Sequence, residues 1–123
     1  MNDGTSIILI DDEKDFVETL AKRLRHRGGY RVDVTFTGED ALDKIREFEY
    51  DVAIIDLKMP GMDGLETLVE IKKMRPGLRV IFLTGHASAE TGEEGKNKGA
   101  FDYMTKPVEF NELMEKIAAA LEQ

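Results

Sequence analysis

Five short apolar runs, each followed by a longer stretch of mixed polarity, most narrowly limit how this chain folds. Ser6–Ile10 reads S-I-I-L-I, Arg31–Phe36 alternates Val32, Val34 and Phe36, and Val52–Asp56 reads V-A-I-I-D. Arg79–Thr84 reads R-V-I-F-L-T, and Phe101–Thr105 is a weaker fifth run. Short runs rich in Ile and Val bounded by turn residues are strands, and apolar residues three or four apart between them mark helices. Lys14–Arg27 places Phe16, Leu20 and Leu24 on one face. Thr37-Gly-Glu-Asp40 is a capping-box-like start for a helix carrying Ala41, Ile45 and Phe48. Asp63-Gly-Leu-Glu66 opens another, with Leu65, Leu68 and Ile71. Glu109–Leu121 has the clearest stripe: Phe110, Leu113, Met114, Ile117, Ala118 and Leu121.

Strict β-α alternation calls for parallel strands joined by helical crossovers. Runs one, three and four are apolar without alternation, as burial on both sheet faces demands. Runs two and five are less uniformly apolar and belong at the edges. The expected fold is α/β: a single doubly wound (βα)5 domain over residues 1–123, with a five-stranded parallel sheet of order 2-1-3-4-5 and helices on both faces. A length of 123 residues suits one domain. With 41% apolar and 34% charged residues the chain is neither disordered nor membrane-embedded, since its longest apolar runs are four or five residues and a bilayer span needs ~20. The absence of cysteine excludes disulfides and thiolate chemistry. A net charge of −8 argues against binding of nucleic acid or an anionic membrane by this domain. No export signal is visible at Met1–Gly4, so a cytoplasmic location is expected.

The residues just past each apolar run are the chemically informative ones. Strand one ends in Asp11-Asp12-Glu13, strand three in Asp56, strand four in Thr84, and strand five runs into Lys106-Pro107. All strands of a parallel sheet finish along one edge, and ligands of doubly wound folds bind there, at the switch between strands one and three. Asp11, Asp12 and Asp56 should therefore meet, with Thr84 and Lys106 beside them.

These pieces, in this order, resemble the receiver domains of two-component response regulators. The resemblance rests on Asp11-Asp12-Glu13, the run Asp56-Leu-Lys-Met-Pro-Gly-Met-Asp-Gly64, Thr84-Gly85 and Lys106-Pro107, and extends from Ser6 to the last helix. It implies a phospho-accepting switch. Asp56 takes a phosphoryl group from a phosphohistidine of a sensor histidine kinase, and the resulting conformational change acts on a downstream effector or a fused output domain, with homodimerisation as one form of output. It implies Mg²⁺ (or Mn²⁺) held by Asp11, Asp12, Asp56 and the backbone carbonyl of Lys58. Lys106 and Thr84 would meet phosphoryl oxygens, Thr84 and Tyr103 would form the switch pair, and Lys58 and His86 would tune the phosphate lifetime. The Lys106–Pro107 bond should be cis. Activity is confined to self-catalysed phosphoryl acceptance and slow autodephosphorylation, so the domain is not an enzyme in the ordinary sense.

Two other readings fit less well. A phosphatase of the haloacid dehalogenase type wants Asp-x-Asp after its first strand, whereas here Asp56 follows strand three and Lys58 stands two residues on. A degenerate receiver needs a missing site residue, and none is missing. One segment departs from the family pattern. Ser88–Lys98 fills the slot of the fourth helix, yet beyond Ala89 it has no apolar side chain and includes Gly92 and Gly95. Each glycine costs about 1 kcal/mol relative to Ala in a helix interior. A short, shifted or frayed helix is expected there, the most mobile element of the domain.

Overall fold

The chain runs β1 (Ser6–Ile10), α1 (Lys14–Gly28), β2 (Arg31–Thr35), α2 (Gly38–Glu47), β3 (Val52–Asp56), α3 (Gly64–Met74), β4 (Arg79–Thr84), β5 (Asp102–Thr105) and α4 (Phe110–Leu121). The structure, a computed structural model, describes residues 4–85 and 94–122. The strands form one parallel sheet of order β2-β1-β3-β4-β5, with β2 and β5 at its edges. Strands two and five are each one residue shorter than the sequence suggests. Phe36 and Phe101 flank their strands and pack against the core instead.

Period-two alternation sends the central strands' side chains to two separate cores. Ile7, Leu9, Val52, Ile54, Ile81 and Leu83 face α1 and α4, meeting Val17, Leu20 and Leu24 of the one and Phe110, Leu113 and Ile117 of the other. Ile8, Ile10, Ala53, Ile55, Val80 and Phe82 face α2 and α3, meeting Leu42, Ile45, Leu68 and Ile71. Burying one such side chain contributes about 1.5–3 kcal/mol, which is why the central strands are apolar on both faces.

Local signals set the helix ends. Thr37 accepts from the Asp40 N–H at the start of α2, and Asp63 and Glu66 form a reciprocal capping box at the start of α3. α1 stops at Gly29, which takes the left-handed conformation (φ 70°) and donates its N–H to the Arg25 carbonyl, while the Tyr30 N–H reaches back to Leu24.

Most of the Ser88–Lys98 slot lies outside the described residues, so the expected mobility falls there too. Residues 94–97 form a helical turn closed by hydrogen bonds from Lys98 and Ala100 back to Glu94 and Gly95. This turn does pack. Gly95 is buried, and a Cβ there would lie 2.7 Å from the Phe82 ring. The glycine is therefore a point of close backbone approach, where composition alone makes it only a helix-weakening residue.

Candidate functional site

The sheet carries four site residues to its C-terminal edge: Asp56 and Thr84 end β3 and β4, and Asp11 and Lys106 directly follow β1 and β5. Asp11 donates its N–H to the Thr35 carbonyl at 3.1 Å, Leu57 to Leu83 at 2.9 Å, and Lys106 to Thr84 at 2.7 Å. Each bond extends the ladder past a strand end, so Asp11, Asp56 and Lys106 sit on ordered backbone. The Lys106–Pro107 bond is cis, as the resemblance implies. α3 closes the floor under Asp56. Gly64 donates to the Leu57 carbonyl at 3.0 Å, and a Cβ on it would stand 2.7 Å from the Asp56 carbonyl oxygen and 2.8 Å from Leu57 Cα. Backbone meets backbone here, and only glycine fits.

Asp11, Asp12 and Asp56 each bring one carboxylate oxygen within 4.8 Å of the others. Asp11 and Asp56 are buried, and Asp12 is exposed. Lys106 Nζ lies 3.0 Å from Asp11 Oδ2, 2.7 Å from Glu13 Oε1 and 3.7 Å from Asp56 Oδ2. The Phe16 ring centroid is 4.6 Å from the same nitrogen, a cation–π contact. The Lys58 N–H reaches Asp56 Oδ1 at 3.3 Å and the Glu13 N–H reaches Asp11 Oδ1 at 2.9 Å, which fixes how each carboxylate is turned.

The electrostatics follow from this crowding. Burial pushes the Asp56 carboxyl up to about 6, helped by the negative charge of Asp11 and opposed by Lys106 and the Lys58 N–H. Asp11 is also raised, by burial above all, against the Glu13 N–H and Lys106. Burial draws Lys106 down, but its hydrogen bonds to Glu13 and Asp11 outweigh that and hold it above the ordinary lysine value. Three carboxylates, Asp11, Glu13 and Asp56, share one ammonium, and Asp12 adds a fourth negative charge beside them. Clustered hard oxygen donors with excess negative charge are the donor chemistry that Mg²⁺ or Mn²⁺ takes.

The structure thus brings together Asp11, Asp12, Asp56 and Lys106. Thr84 is buried at the end of β4, in register with Thr105. Tyr103 is half-buried on edge strand β5, in register with Phe82. Lys58 is exposed two residues past Asp56, and His86 lies outside the described residues. The sequence pattern assigns no site role to Glu13 or Phe16: the first belongs to an acidic run, and the second to the apolar face of α1. Their spacing of three, which puts both on one side of the first helical turn, was the available signal.

The family model of the response regulator receiver domain matches residues 7–118. Over 115 residues, 94% of this chain, the sequence is 36% identical to the transcriptional regulatory protein ZraR of Salmonella typhimurium, of which the match covers 26%. It is 36% identical over 117 residues, 95% of this chain, to the transcriptional regulatory protein YkoG of Bacillus subtilis, covering 51% of that protein. The chain therefore spans between about a quarter and a half of these curated relatives. Among solved structures, a CheY-like receiver domain protein from Methanospirillum hungatei superposes with a TM-score of 0.88 at 35% identity, covering 96% of this chain and 94% of that one. The receiver domain of NtrX from Brucella abortus superposes with a TM-score of 0.89 at 32% identity, covering 95% and 98%.

Proposed function

Because the chain belongs to the response regulator receiver domains of two-component systems, we propose that Asp56 is its phosphoryl acceptor. One observation carries this reading: a buried carboxylate at the end of a central strand, clustered within 4.8 Å with Asp11 and Asp12 and 3.7 Å from the Lys106 ammonium. Receiver domains are signalling switches. In this one, Asp56 Oδ attacks the phosphorus of a phosphohistidine on a sensor histidine kinase. An O–P bond forms as the N–P bond breaks, and the electron pair leaves with the imidazole nitrogen, which takes up a proton. The carboxylate needs no base, being ionised above its raised pKa of about 6. Lys106 meets one phosphoryl oxygen as a point charge, and the Thr84 hydroxyl donates to another.

Asp11, Asp12, Asp56 and the Lys58 carbonyl would hold Mg²⁺ or Mn²⁺. The bound ion supplies charge neutralisation between the anionic acceptor and the anionic phosphoryl group. Thr84 and Tyr103 relay the change to an effector or an output domain, or to a second copy of the domain. Lys58 and His86 would tune how long the acyl phosphate lasts, as the positions they match do in the family. The reaction is self-catalysed, with slow autodephosphorylation. Among the described residues no helix is long and apolar enough to cross a membrane, and we assign the domain to the cytoplasm.

Incubation with acetyl phosphate and Mg²⁺, followed by intact mass, tests the reading. Wild type should gain one acid-labile phosphate and Asp56→Asn none. Uptake by Asp56→Asn at the wild-type level would refute it, and continuous turnover would indicate a phosphatase.

A further inference from the structure

The first turn of α1 departs from the other helix starts. Thr37, Asp63 and Glu109, the N-cap residues of α2, α3 and α4, each accept a hydrogen bond from their own helix. Glu13, the N-cap of α1, makes no side-chain cap hydrogen bond. Its carboxylate turns instead to Lys106 Nζ, at 2.7 Å the shortest of that ammonium's three ion pairs among the described residues. Phe16, three residues on, holds its ring centroid 4.6 Å from the same nitrogen. Lys106 is thus pulled from two sides. Asp11 and Asp56 draw it into the carboxylate cluster, and Glu13 and Phe16 draw it out toward α1.

The donor count sharpens this. An ammonium has three N–H bonds. Lys106 makes hydrogen bonds to Asp11 and Glu13, at 3.0 and 2.7 Å. Asp56 stays at ion-pair distance, 3.7 Å. Without the Glu13 carboxylate, the ammonium has no carboxylate partner outside the cluster among the described residues and settles between Asp11 and Asp56. There it is an internal cation, competing with a divalent ion for the same oxygens.

We propose that Glu13 is a positioning residue that holds Lys106 off Asp56 and so keeps the carboxylate cluster open to a divalent cation. The proposal rests on the acceptor-site reading above. It concerns an exposed side chain at the rim, whose loss leaves the three clustered carboxylates in place.

Titration with MgCl₂, followed by backbone amide shifts of residues 11–13 and 56–58, tests it in four proteins: wild type, Glu13→Gln, Lys106→Ala and the double variant. The same spectra report whether each is folded. Glu13→Gln should weaken Mg²⁺ binding by about threefold or more while Lys106 is present, because a negative charge is lost nearby and the ammonium moves inward. With Lys106→Ala the effect of Glu13→Gln should shrink markedly, leaving only the direct influence of its charge. An unchanged affinity in Glu13→Gln overturns the proposal. So does the same fold-change in both backgrounds, which would make Glu13 a bystander charge. A wild type without saturable shifts overturns the acceptor-site reading, and the proposal with it.

Discussion

Replacing Asp56 by Asn should stabilise the metal-free domain at neutral pH while changing it little near pH 4. The Asp56 side chain is only 8% exposed, and its carboxyl is pushed from 3.8 up to about 6 by burial and by Asp11, in spite of Lys106. A folded-state pKa above the unfolded one means that folding takes up a proton between those two values. Stability falls as pH rises through that window, and the loss is complete above about pH 6. A shift of about two units at ~1.4 kcal/mol each amounts to about 3 kcal/mol. Asn has nearly the same shape, keeps an oxygen for the Lys58 N–H and cannot ionise, so the variant avoids this loss. At about 3–6 °C per kcal/mol, the gain at pH 7.5 would be on the order of 10 °C in Tm. Urea unfolding in EDTA at pH 7.5 and pH 4, for both proteins, measures the difference directly. Asp56→Asn being no more stable than wild type at pH 7.5, or showing the same advantage at both pH values, would refute the reasoning.

Other outcomes follow from the same geometry. Millimolar Mg²⁺ should raise the thermal midpoint of the wild type by linkage, and Asp12→Ala should lose most of that rise; an equal rise in both would remove Asp12 from the ligand set. Gly64→Ala puts a Cβ 2.7 Å from the Asp56 carbonyl oxygen, so it should cost about 1–3 kcal/mol in urea unfolding and slow phosphate uptake. Wild-type values for both would show that the α3 start yields without cost. Gly95→Ala should destabilise although Ala favours a helix by about 1 kcal/mol, because the new Cβ meets the buried Phe82 ring at 2.7 Å. In a Phe82→Leu background the same substitution should become neutral or stabilising, and an unchanged penalty there would locate the strain elsewhere.

The convergence of Asp11, Asp56, Thr84 and Lys106 was legible in one dimension because a parallel sheet has a single edge at which all its strands finish. The edge strands followed from which runs were less uniformly apolar, and the caps at Thr37 and Asp63 from local spacing alone. Gly95 shows where such reading stops. Propensity assigns it a cost in a helix slot that lacks apolar side chains, but the turn at 94–97 is seated by backbone lying against Phe82, a residue on another element. Glu13 shows the same limit at the site. Its position in the chain makes it an N-cap, and an N-cap side chain ordinarily serves its own helix. Its carboxylate goes to a lysine 93 residues away because the fold delivers that ammonium to 2.7 Å. Pattern determines which residues reach the sheet edge. Which of them touch, and whether the Asp56 carboxyl titrates near 4 or near 6, depends on burial and on neighbours that the chain acquires only when β1, β3 and β5 lie side by side with α1 packed over them.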